Sequence, residues 1–118
     1  MSDVLVIDNE KSISELLRQA LTMSGYTVKT ASAGLEGIRM FENGFFDLVI
    51  TDISMPDIDG RRVARHIRTS RHRPLTPIIA MSGTPWLLQG NEFDSVFSKP
   101  FSLYTLLDTV NGLTVTAA

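Results

Sequence analysis

Cysteine is absent from all 118 residues. That excludes a disulfide framework, thiolate zinc and iron–sulfur centres and a cysteine nucleophile, and it suits a reducing, cytoplasmic setting. Long apolar runs are missing too. The longest, such as Val4-Leu5-Val6-Ile7, reach four residues, against the ~20 that a membrane-spanning helix needs. The start Met1-Ser2-Asp3 has no basic stretch leading into an apolar one, so it does not read as a signal peptide. Charge of one sign is scarce as well: 11 Lys and Arg against 13 Asp and Glu leave −2. No global basic field exists to hold nucleic acid or an anionic membrane, and any anion binding is local. What is present is 43% apolar side chains and 20% charged ones, the composition of a globular chain that buries roughly two-thirds of its unfolded surface. We expect a single domain over residues 1–118, with a core at about 3–113, a fraying tail at 114–118, and no second or output domain.

Near-continuous apolar blocks occur at Val4-Leu5-Val6-Ile7, Leu48-Val49-Ile50 and Ile78-Ile79-Ala80-Met81, with weaker ones at Tyr26-Thr27-Val28 and Val96-Phe97. Unbroken rather than alternating runs are what a parallel sheet covered on both faces requires. Between them lie helical patterns. Ile13, Leu16, Leu17, Ala20 and Leu21 form one apolar stripe, with Gly25 as a stop. Leu35, Ile38 and Phe41, then Val63, Ala64 and Ile67, then Leu103, Leu106, Leu107 and Val110 repeat the pattern. This alternation predicts an α/β fold, a doubly wound, five-stranded parallel sheet in a (βα)5 three-layer sandwich. In such a sheet, function sits at the carboxyl ends of the strands, where the strand order reverses.

The residues following the strands are Asp8-Asn9-Glu10, Thr51-Asp52, Ser82-Gly83 and Ser98-Lys99-Pro100. Asp8 and Asp52 brought together repel unless a hard cation lies between them, and such oxygen ligands suit Mg²⁺. A carboxylate nucleophile, a hydroxyl and an ammonium beside that cation make a phosphoryl-transfer site. The plainer alternative is that Asp8 or Asn9 caps the first helix and Lys99 is a solvated charge.

These residues resemble the receiver domain of two-component response regulators, from Asp3 to about Leu113. The resemblance lies in the acidic turn Asp8-Asn9-Glu10, in Asp52-Ile53-Ser54-Met55-Pro56-Asp57-Ile58-Asp59-Gly60, in Pro77 to Gly83, and in Lys99-Pro100-Phe101. It implies that Asp52 accepts a phosphoryl group from a phosphohistidine with Mg²⁺ bound. Asp8, Asn9, Asp52 and the backbone carbonyl of Ser54 would form the metal site. Ser82 and Lys99 would bind and sense the phosphoryl group, Gly83 would leave access to it, and the Lys99–Pro100 bond would be cis. Pro56 and Gly60 are the structural residues of the acceptor loop. Implied partners are a sensor histidine kinase or a histidine phosphotransfer protein, an unidentified downstream protein and a second copy in a homodimer, with no nucleic acid and no membrane. No enzymatic action beyond self-directed phosphotransfer and dephosphorylation is expected.

The sequence departs from that family's pattern in three places. Asn9 stands where a second acid is usual, which predicts weaker Mg²⁺ binding, with Glu10 nearby. Val96 stands in the place of the family's switch aromatic. Only 17 positions separate Ser82 from Lys99, interrupted by Pro85 and Gly90, so the fourth helix of the pattern is expected to be short or absent. Trp86, Leu87 and Leu88 then either pack over the sheet edge or form a docking patch. These departures motivate an alternative, a degenerate receiver that binds partners regardless of phosphorylation. A flavin site is disfavoured by Asp8 and Glu10, which would repel a flavin phosphate. A related phosphohydrolase is disfavoured by Ser54, where it would need a second Asp.

Residues 61–73 carry six arginines, His66, His72 and no acid, leaving five basic residues against 13 acids, or −8, on the rest of the chain. This segment reads either as a solvated helix face or as a docking site for an acidic partner. No recognition motif accompanies it for nucleic acid. The histidines read as surface residues, since their spacing is not that of a helical ligand pair.

Overall fold

Residues 2–85, 88 and 92–115 are described by the computed structural model. The three strong apolar blocks become the three inner strands, β1 (Asp3–Ile7), β3 (Leu48–Asp52) and β4 (Ile78–Ser82), with β3 and β4 buried along their whole length. The weaker blocks become the edges, β2 (Thr27–Ala31) and β5 (Ser95–Ser98). All pairings are parallel and the order is β2-β1-β3-β4-β5. This is the doubly wound α/β sheet that the sequence predicts.

Side-chain alternation divides the core in two. Leu5, Ile7, Val49 and Ile78 pack with Phe41, Val63, Ala64 and Ile67, which belong to α2 (Gly34–Asn43) and α3 (Gly60–Thr69). Val4, Val6, Leu48, Ile50, Ile79 and Met81 pack with Leu17, Leu21, Leu106 and Val110, from α1 (Lys11–Met23) and α4 (Leu103–Val115). Among the described residues no helix is long and apolar enough to cross a membrane.

Several local expectations are corrected. On α2 the buried face is Gly34, Gly37 and Phe41, whereas Leu35 is 53% exposed. A side chain at Gly37 would collide with Ile7, so α2 lies close on β1 through its glycines. On α1, Leu16 is exposed and Ser14 buried. The chain is still helical at Thr114, which is buried and bonded to Val110 O and the Tyr26 hydroxyl, so a tail does not begin there. Between β4 and β5 no α-helix occurs among the described residues. A turn closes there from Leu88 N–H to Pro85 O. Trp86, Leu87 and Gly90 lie outside the described residues.

The order reverses between β1 and β3, whose register pairs Ile7 with Thr51. The next residues, Asp8 and Asp52, are therefore neighbours at the carboxyl rim. The fold brings two acids together before any side-chain interaction is considered.

Candidate functional site

Asp8 leaves β1 at 1% exposure and Asp52 ends β3 at 4%. Asp8 Oδ1 accepts a hydrogen bond from Glu10 N–H at 2.9 Å. Its other oxygen, Oδ2, is buried and accepts no hydrogen bond among the described residues. Asp52 Oδ1 accepts from Ile53 N–H at 2.9 Å. The helix-cap alternative for Asp8 and Asn9 fails: the N-cap of α1 is Glu10, whose own side chain makes no cap hydrogen bond. Asn9 is exposed on the same turn, beside a cleft lined by Asp8, Lys11, Ser14, Thr30 and Ser32.

Lys99 follows β5, its N–H bonded to Ser82 O at 2.9 Å, and the Lys99–Pro100 bond is cis. Its Nζ lies 3.2 Å from Glu10 Oε1, 3.3 Å from Asp52 Oδ1 and 3.5 Å from Asp8 Oδ2. Burial pushes the Asp8 carboxyl above its ordinary value and the charge of Asp52 adds to this, against the pull of the Glu10 N–H and Lys99. For Lys99, burial is the largest influence and works downward. The charges of Asp8 and Asp52 and hydrogen bonds to Glu10 and Asp52 outweigh it and hold the ammonium above its usual value.

Ser82 ends β4, buried, and its hydroxyl oxygen accepts from Thr84 N–H at 3.0 Å. It thus sits on the same rim while bonded to its own loop. A Cβ at Gly83 would meet nothing within 4 Å among the described residues. Val96 is 39% exposed, and Phe97 on the opposite face joins the core.

The acceptor loop is built by close approach. Gly60 N–H bonds Ile53 O at 2.9 Å, and a Cβ at Gly60 would collide with the backbone oxygen of Asp52. Asp59 caps α3 by accepting from Arg61 and Arg62 N–H. Ser54 and Pro56 lie exposed on this loop. Asp57, to which the sequence motif assigns no role, accepts from Gly34 N–H at 3.1 Å and Leu35 N–H at 2.8 Å. It caps α2 from another loop, because the N-cap residue Ala33 has no side-chain acceptor. Only the Asp between a strand and a helix start hints at this, and its partner is 22 residues away.

The arginine segment is not uniformly solvated. Arg68 bonds the carbonyls of Pro74, Thr76 and Glu92 and the Asp94 carboxylate, and Arg73 pairs with Asp47 at 3.6 Å. Arg61, Arg62, Arg65 and Arg71 are exposed. Both histidines are half-buried: His66 meets Glu42 at 2.7 Å, and the His72 ring packs on Phe41 and Phe45.

One oxygen each from Asp8, Glu10 and Asp52 lies within 4.8 Å of the others. Hard oxygen donors in this arrangement, with a buried Asp8 oxygen left without a hydrogen bond, fit Mg²⁺.

Comparison with known proteins accords with this geometry. Residues 4–111 match the family described as the response regulator receiver domain. A probable transcriptional regulator, ycf27, from Guillardia theta is 39% identical over 101 residues, which cover 84% of this chain and 40% of that protein. The response regulator MprA of Mycobacterium sp. (strain KMS) is 32% identical over 93% of this chain and 49% of its own. The chain thus spans two-fifths to one-half of these relatives' length. The crystal structure of the response regulator TrrA from Thermotoga maritima, in complex with Mg²⁺-BeF, superimposes with a TM-score of 0.87 at 35% identity, covering 96% of this chain and 99% of that one.

Proposed function

The chain belongs to the response regulator receiver domain family, and on that premise we propose that it is a phosphoacceptor switch. Asp52 takes a phosphoryl group from the phosphohistidine of a sensor histidine kinase or a histidine phosphotransfer protein. The observation that carries this reading is the buried Asp52 carboxylate, side by side with Asp8 and 3.3 Å from the Lys99 ammonium.

Oδ1 of Asp52 is held by Ile53 N–H and Lys99, which leaves Oδ2 to attack phosphorus. The bond formed is Oδ2–P. The bond broken joins phosphorus to the donor's imidazole nitrogen, which keeps the electron pair. Lys99 stands where its charge stabilises the oxygens of the transferring group. The site residues that would hold Mg²⁺ are Asp8, Asp52, the Ser54 carbonyl and Asn9, and the ion supplies further neutralisation of the phosphoryl oxygens. A neutral amide at Asn9 gives weaker binding than a carboxylate there.

The phosphoryl group adds roughly −1.5 to −2 charges and three acceptor oxygens. The Ser82 hydroxyl has a new acceptor, and turning to it releases Thr84 and moves the loop after β4. The output is a population shift that a downstream protein reads. The chemistry is self-directed, without turnover of an external substrate, and a cytoplasmic setting suits a cysteine-free chain. Asn9 and the half-exposed Val96 favour a second reading, docking that ignores phosphorylation.

Incubation with acetyl phosphate and Mg²⁺ followed by intact mass measurement decides between them. One added phosphoryl group that disappears in Asp52→Ala supports the acceptor. No addition to the wild type, or addition that persists in Asp52→Ala, overturns it.

A further inference from the structure

Lys99 Nζ faces three carboxylates within 3.2–3.5 Å, and they differ in freedom. Asp8 and Asp52 are buried and each is fixed by a backbone N–H. Glu10 is 56% exposed and caps α1 without a side-chain hydrogen bond to the helix. It is therefore the carboxylate of the three with room to move. Three carboxylates against one ammonium leave a formal charge of −2, the complement of one divalent cation, and without Glu10 the balance is −1. A separate observation marks the same place: Asp8 Oδ2, buried and without a hydrogen bond, points into this cluster toward Lys99. Asn9, between Asp8 and Glu10, brings no charge.

We infer that Glu10 is the exchangeable carboxylate of the site. In the cation-free protein it holds Lys99. When Mg²⁺ binds, Glu10 turns from Lys99 to the cation and supplies the negative charge that Asn9 lacks. The same movement leaves Lys99 one partner fewer as the site becomes competent for a phosphoryl group. This inference rests on the phosphoacceptor reading and adds a residue and an order of events to it.

The test is calorimetric Mg²⁺ titration of the full chain, with no phosphodonor, for the wild type, Glu10→Gln, Asn9→Asp, the double variant and Asp52→Asn. Thermal melts in EDTA establish that each variant folds. Glu10→Gln keeps the side chain's shape at an exposed position, and we expect it to weaken Mg²⁺ about tenfold. Asn9→Asp is expected to strengthen binding and to reduce the cost of Glu10→Gln to about threefold or less, the coupling expected of two groups that serve one ion. Unchanged affinity in Glu10→Gln, or an equal loss in both backgrounds, overturns the inference. Asp52→Asn separates the two levels. Loss of affinity there with none in Glu10→Gln removes only the role of Glu10. Unchanged affinity in Asp52→Asn, or no binding to the wild type, removes the metal-dependent acceptor site and this inference with it.

Discussion

At Asp8 the fold holds a carboxylate at 1% exposure beside a second acid, and burial together with Asp52 keeps its pKa above the ordinary range. The folded state then binds that proton more tightly than the unfolded chain does. Ionised Asp8 costs stability at neutral pH, and the cost fades as pH falls toward the ordinary value of 3.8. Asp8→Asn keeps an oxygen for the Glu10 N–H and removes the charge. We predict that it stabilises the metal-free protein by roughly 0.5–2 kcal/mol at pH 7 while abolishing the Mg²⁺ response, measured by urea unfolding in EDTA and by titration. Arg68 has the opposite character, with four partners on two stretches of chain, 74–76 and 92–94. Arg68→Ala leaves carbonyls and Asp94 without it and is predicted to cost about 2 kcal/mol. Arg65→Ala, on the exposed face, stays within about 0.5 kcal/mol in the same denaturation assay.

Among the elements, α2 is held from outside itself. Asp57 accepts the Gly34 and Leu35 N–H groups, and these bonds, that of Leu35 foremost, keep its carboxyl below the usual value of 3.8. A lowered pKa contributes stability above the ordinary carboxylate range and loses it as pH falls through the lowered value. Asp57→Asn is therefore predicted to cost about 1 kcal/mol at pH 7, a usual cap value and an upper figure for so exposed a group. The gap from wild type closes below about pH 4, as unfolding curves at several pH values would show. Gly60→Ala drives a methyl group into the backbone of Asp52 and Ile53. It is predicted to cost roughly 1–3 kcal/mol, and to slow phosphorylation of Asp52 in the acetyl phosphate assay. These elements also mark the limit of what the sequence reveals. The inner strands were legible because both their faces are buried, which forces unbroken apolar runs, and Asp8, Asp52 and Lys99 were legible because they terminate strands. The face of α2 was not, because glycine contributes close approach without hydrophobicity, and Leu35 looked like the core residue that Gly34 and Gly37 replace. The cap by Asp57 and the swing room of Glu10 depend on partners distant in the chain, which no local pattern encodes.

At the scale of the whole molecule, the charge separation read from the sequence acquires a geography. The acids of the carboxyl rim are offset locally by Lys99, while the exposed arginines lie on α3 and its exit. The cation is accordingly expected to act on global stability. Mg²⁺ at 100 times its dissociation constant is predicted to raise the unfolding free energy by about 2.7 kcal/mol. EDTA should reverse the effect and Asp52→Asn abolish it, with melting temperature as the measure. The sheet's margins carry a consequence of another kind. β2 exposes Lys29 and Thr30 along a five-residue edge, and β5 is four residues long with serine at either end. Edges so short and polar make poor templates for a foreign strand, so concentrated solutions should resist fibril growth, and association between copies should be read by its helices rather than by extending the sheet.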